Sequence, residues 1–231
     1  MTSIAINSDV AEGFGAWSFG ADEELLEHIT AANVACGFHA GDPAIIHEVT
    51  EQAARRGVSI GAQVSYRDLS GFGRRFIQVD ARTLWAELCY QIGALEVFAR
   101  LAGSRVGYVK AHGALYNTAA RHAEHAQALV DAVAATGPER PILCQPETEV
   151  WRRAEQAGLA PVCEVFADRA YTDDGLLVPR GMPGAVVQDA AELVERSLRM
   201  VEEGAVSTVS GRVHEFPVPP ASLCIHSDTP G

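Results

Sequence analysis

Along its 231 residues the chain alternates seven short apolar runs with six longer amphipathic ones, and this alternation constrains the fold more than any other feature. The short runs are residues 3–8, 32–36, 58–63, 106–110, 141–145, 161–166 and 222–226. Between them, helical periodicity covers residues 22–29, 43–56, 81–102, 123–135, 147–157 and 189–203. Asp42 followed by Pro43, and Asp80 before Ala81, are N-cap signals for two of these helices. Residues 207–216 read as extended, with pairing along an edge as one outcome. Successive parallel strands need a crossover connection, which a helix supplies, so strand–helix alternation implies a parallel sheet covered by helices. The class is therefore α/β, either a closed barrel or an open doubly wound sheet. No linker or low-complexity stretch divides the chain, so residues 1–231 are expected to form one domain. A covering helix is expected after the seventh strand, and the sequence ends at IHSDTPG without one.

The positions of the polar residues favour the barrel. Asn7, Asp9 and Glu12 follow the first strand, His39 and Asp42 the second, and Gln63 and Tyr66 the third. Lys110, His112 and Asn117 follow the fourth, Gln145 the fifth, Glu164 and Asp168 the sixth, and His226 and Asp228 the seventh. In a parallel barrel all these carboxyl ends share one face, and loops from every strand converge on one pocket. Three of the ends place a histidine before small residues (FHAGD, AHGA, IHSD), where backbone and ligand can approach closely. Asp9 and Glu12 form a carboxylate pair suited to handling water and protons once their environments differ. Each also has a plainer reading, as a cap for the next helix. Asp9, His39 and His112 could hold a divalent metal with water in an open position, although no HxH or HExxH spacing supports it. Lys110 and His112 lie two apart, on one side of an extended chain. Arg75, after the loop SGFGR, could meet an anionic group, and so could Arg169 beside Asp168; a solvated salt bridge is the alternative for both.

Composition excludes other classes. A net charge of −12 argues against nucleic acid or an anionic membrane as partner. Five cysteines without a CxxC pair, four of them inside apolar runs, read as buried free thiols of a reducing compartment. The amino terminus lacks the pattern of a signal peptide, and the cytoplasm is the expected location. No phosphate-binding loop, GxGxxG after a strand, or GxSxG elbow occurs.

The strings NSDVAEGFGAW, ANVACGFHAGDP, DLSGFGRR, YQIGALEVFAR, VKAHGALYN, EVFADRAYTDDGLLVPR and IHSDTPG resemble, in order and along the whole chain, the A-subunit family of bacterial 5-oxoprolinase, also called the LamB/YcsF or lactam-utilisation family. The resemblance implies a seven-stranded (β/α) barrel of the polysaccharide-deacetylase and glycoside-hydrolase type. It implies opening of 5-oxoproline to L-glutamate with ATP hydrolysis, in a complex with subunits B and C. It carries over Asp9, Glu12, His39, Asp42, Lys110, His112, Tyr116, Asn117, Glu164, Asp168, Arg169 and Asp228 as pattern positions. Three positions depart from the pattern: Gln63 stands where a histidine is usual, Ala111 replaces a proline and Ser227 a glycine. Expected as catalytic are Asp9, Glu12, His39, Lys110 and His112. Expected as substrate-binding are Asn7, Gln63, Tyr66, Arg75, Asn117, Glu164, Asp168, Arg169, His226 and Asp228. The alternative readings are a stand-alone, metal-dependent amidase or deacetylase, and a binding protein without activity.

Overall fold

The computed structural model describes residues 4–226. Seven parallel strands close into a barrel in the order β1 (Ala5–Val10), β2 (Ala31–Ala35), β3 (Ser59–Val64), β4 (Val106–Ala111), β5 (Ile142–Cys144), β6 (Pro161–Phe166) and β9 (Ser222–Cys224). Between β6 and β9 the short strands β7 (Ala205–Ser207) and β8 (Val213–Glu215) pair antiparallel with each other, apart from the barrel. The extended segment expected at residues 207–216 is this hairpin.

The helices are α1 (Asp22–His28), α2 (Pro43–Arg56), α3 (Ala81–Leu101), α4 (Gly113–Ala119), α5 (Ala123–Thr136), α6 (Glu149–Gln156) and α7 (Ala190–Glu202). Asp42 caps α2 by accepting from the backbone of Ala44 at 2.8 Å and Ile45 at 3.1 Å, and Gly57 closes the helix in the left-handed conformation. Asp80 caps α3 through Thr83. Helix α4 has no counterpart in the periodicity; it starts directly beyond β4, with His112 as its N-cap residue. Among the described residues no helix is long and apolar enough to cross a membrane.

Outward-facing strand residues such as Val34, Ile60, Val64, Val109, Ile142 and Val165 join the helices in the main core. The inner face is different. Ala31, Tyr108, Leu143 and Val162 form a separate apolar cluster that plugs the barrel. Gly61 stands opposite Tyr108 in register, and a Cβ there would lie 2.1 Å from the Tyr108 ring. Only glycine leaves room for that plug. Above it the inner side chains are polar, so the strands are apolar on one face and mixed on the other.

Candidate active site

The polar layer begins with amides. Asn33 donates to the side-chain oxygens of Asn7 at 2.7 Å and Asp9 at 2.8 Å, and Tyr108 donates to Asn33 at 2.7 Å. Asn7 in turn donates to Ser222 at 2.8 Å and Glu164 at 3.1 Å. Lys110 ends among three acceptors, with Nζ 2.7 Å from Glu164 Oε1, 3.0 Å from Cys224 Sγ and 3.1 Å from Asn7 Oδ1; Asp9 Oδ1 lies at 3.8 Å. An ammonium has three N–H donors. All three are therefore engaged, and Lys110 acts on the site through its charge. Burial disfavours that charge, but Cys224, Glu164 and Asp9 outweigh it and hold the pKa of Lys110 well above the ordinary value. Burial likewise pushes Asp9 upward, while Lys110, His112 and His226 reverse the sign and hold it well below the usual carboxylate range.

Three histidines surround Asp9. His226 Nδ1 sits 2.9 Å from both carboxylate oxygens of the fully buried Asp168, which fixes the ring with Nε2 toward Asp9 Oδ2 at 4.0 Å. His112 Nδ1 lies 3.8 Å from Asp9 Oδ2 and 3.6 Å from Glu12 Oε1. His39 stacks on His112 with centroids 3.9 Å apart, and its Nε2 faces Glu12 Oε1 at 3.4 Å. Gly73, at φ 64°, packs against both rings; a Cβ there would meet His39 Cβ at 2.8 Å and Ser65 Oγ at 2.4 Å. Burial drives the pKa of His39 down to about 4 and also lowers that of His112. His39 is therefore neutral at physiological pH. Its contribution to stability begins to fall as the pH drops below the ordinary imidazole value and is lost by about 4.

These groups line a cavity of about 580 Å³ at the carboxyl ends of the strands. Asp9, Gln63, Lys110, His112, Asn117, Arg169 and His226 reach it directly. Glu12 and His39 stand behind His112, while Asn7 and Glu164 lie in the layer below and Asp168 backs His226. Two expected substrate contacts are turned elsewhere. Tyr66 is fully buried, with its hydroxyl 2.6 Å from His125 Nδ1. Arg75 points outward, its side chain 61% exposed and paired with Asp68, whereas its neighbour Arg74 lines the cavity. Asp228 lies outside the described residues. The lining also includes Tyr116, a pattern position with no role attached to it, and Phe166, Leu177 and Arg180, which the sequence alone does not single out. Phe166 was within reach of strand parity, since it follows Glu164 by two; Arg180 sits in a Gly/Pro-rich loop that carries no local signal.

The donor atoms that gather as a metal ion requires belong to Glu12, His39 and His112, all within 4.8 Å of one another; among the described residues Asp9 is not in that group. Both ring nitrogens of His112 are already engaged, Nδ1 by Gln63 Nε2 at 3.0 Å and Nε2 by the Phe72 carbonyl at 3.0 Å. With His112 so occupied, the set falls short of the three protein ligands of a catalytic zinc site, and as arranged it does not fit a metal.

The profile of the LamB/YcsF family matches residues 4–231. The 5-oxoprolinase A subunit of Streptomyces avermitilis is 56% identical over 228 residues, covering 99% of this chain and 90% of the relative. That of Kocuria rhizophila is 50% identical, covering all of this chain and 91% of its own length. The crystal structure of the lactam utilization protein from Thermus thermophilus superposes with a TM-score of 0.93 at 41% identity, over 99% of this chain and 92% of that one.

Proposed function

Given that the chain belongs to the LamB/YcsF family, we propose that it is the A subunit of an ATP-hydrolysing 5-oxoprolinase, opening the lactam ring of 5-oxoproline to L-glutamate. The observation that carries this reading is an ionised carboxylate, Asp9, facing an Asp-oriented imidazole, His226, across 4.0 Å within one cavity. Hydrolysis of an amide needs a base for the attacking water and an acid for the leaving nitrogen. Asp9 takes the water proton as its oxygen adds to the ring carbonyl carbon. His226 supplies a proton to the ring nitrogen as the carbon–nitrogen bond breaks, with Asp168 fixing the ring as in a catalytic triad. Arg169 and Asn117, on the cavity wall, suit the substrate carboxylate.

A five-membered lactam has too little strain to open by itself, so in this reading ATP first phosphorylates the lactam oxygen and leaves as ADP. The water addition and C–N cleavage then give an acyl phosphate of glutamate, from which a second water releases phosphate. The chain has no phosphate-binding motif, and we assign ATP binding to the partner subunits, B and C. The test is formation of ADP and glutamate by the three mixed subunits. Equal rates with and without this chain reject the assignment.

Two variants probe the roles. Asp168→Asn cannot hold His226 in the same proton state, and kcat is expected to fall about a hundredfold or more with KM and thermal stability nearly unchanged. Steady-state kinetics on the assembled enzyme check this. Arg75→Gln removes the bidentate partner of the buried Asp68 carboxylate, so KM should stay within about twofold while stability falls by about 1–3 kcal/mol. A large rise in KM would return Arg75 to the substrate contacts.

A further inference from the structure

We infer that Gln63 is a positioning residue, whose side-chain amide holds His112 with Nδ1 bare and so keeps Asp9 free to meet water. The inference rests on the hydrolase reading above. Gln63 lies fully buried near the end of β3, opposite Lys110 in register. Its Nε2 is 3.0 Å from His112 Nδ1, and His112 Nε2 is 3.0 Å from the backbone carbonyl of Phe72. A carbonyl only accepts, so Nε2 must carry a proton. A ring nitrogen that receives an amide N–H must be bare, so Nδ1 cannot carry one. The reversed amide would present oxygen to Nδ1 and require a doubly protonated ring.

The charges around His112 compete over that proton. Asp9 Oδ2 at 3.8 Å and Glu12 Oε1 at 3.6 Å both face Nδ1 and favour protonation there. Against it work burial and the stacked His39. Lys110 and His226 lie beyond Asp9, and Arg74 lines the same cavity. At 3.8 Å the His112–Asp9 pair is too long for a hydrogen bond, so Asp9 Oδ2 keeps a lone pair for water. The Gln63 donor decides the balance. Without it, His112 can take a proton on Nδ1, become an imidazolium beside Asp9 and Glu12, and quench the base.

The experiment compares wild type with Gln63→Glu, which offers an acceptor to Nδ1, and Gln63→Leu, which offers nothing. Long-range proton–nitrogen NMR correlation on the full chain reads both nitrogens of His112 near neutral pH. The expected wild-type result is a bare Nδ1 and a protonated Nε2, and both variants gain a proton on Nδ1. In the assembled enzyme the acid limb of kcat/KM moves to higher pH in both variants. Each unit of that movement is an about tenfold loss on the acid side, while the alkaline side of the profile is unchanged. A purely structural role would alter thermal stability without moving either readout. A protonated Nδ1 in wild type, or an unmoved His112 in both variants beside normal turnover, overturns the inference alone. A changed His112 with no turnover by any assembled protein overturns the hydrolase reading, and the catalytic part of this inference with it.

Discussion

Asp9→Asn is expected to lower kcat by about 100- to 10,000-fold, the range that a positioned general base contributes. The fold should survive, because the asparagine oxygen can still accept from Asn33, which now donates to Asp9 at 2.8 Å. What disappears is the negative charge facing His112, His226 and Lys110. Burial opposes that charge, yet Lys110 above all holds Asp9 well below the usual carboxylate range, so it remains ionised throughout the mildly acidic range. The acid limb of the native pH profile therefore does not report Asp9. In stability the sign follows the same depression. Asp9 contributes fully above the ordinary carboxylate value, and that contribution is lost as the pH falls through its own lower value. Steady-state kinetics on the assembled enzyme and a thermal melt of the variant test both halves. Near-normal turnover in Asp9→Asn would move the base elsewhere in the cavity.

Lys110→Met should cost about 3–5 kcal/mol of stability, the penalty for stripping a buried charge of its partner. Both carboxylates beside it are almost wholly inaccessible, with Glu164 Oε1 at 2.7 Å and Asp9 Oδ1 at 3.8 Å. Without the ammonium they must either sit uncompensated or take up protons. The melting temperature should fall by about 10 °C or more in a chain of this size. Stability of the variant should recover toward acid pH, where protonation relieves the repulsion. In the native protein the raised pKa of Lys110 works in the opposite direction: its contribution is complete below the ordinary lysine value and is lost only as the pH rises through the higher folded value. The double variant Lys110→Met, Glu164→Gln should regain part of the loss. Chemical denaturation of the single and double variants measures the coupling. Equal destabilisation of both would show that Glu164 is not the group Lys110 compensates.

Local pattern located the elements well where a cap or a change of period marks them. Helix α2 and strand β6 begin and end at the residues expected, because Asp42 and Pro43 announce the one and Pro161 opens the other. Helix α4 carries no such mark, since Gly113–Ala119 is seven residues long and starts at a glycine with positive φ. The convergence of Asp9, Lys110, His112 and His226 on one cavity follows from parity and parallel strands. Loops obey no such rule. Arg74 and Arg75 are neighbours of one chemistry, yet the turn around Leu69–Gly71 sends one to the cavity and the other to Asp68 in the outer loop.

The order of the seven barrel strands, their parallel sheet and the face on which chemistry gathers were present in the chain, because period, caps and strand-end polarity depend on residues close together; helix α4 and the closure of the sheet were not. Charge states and partners were decided in three dimensions. Lys110 meets Cys224 across 114 positions and Asn7 across 103, and the protonation of His112 rests on Gln63, which is 49 positions away. Burial and neighbouring charge set those states, and both exist only once the barrel has closed.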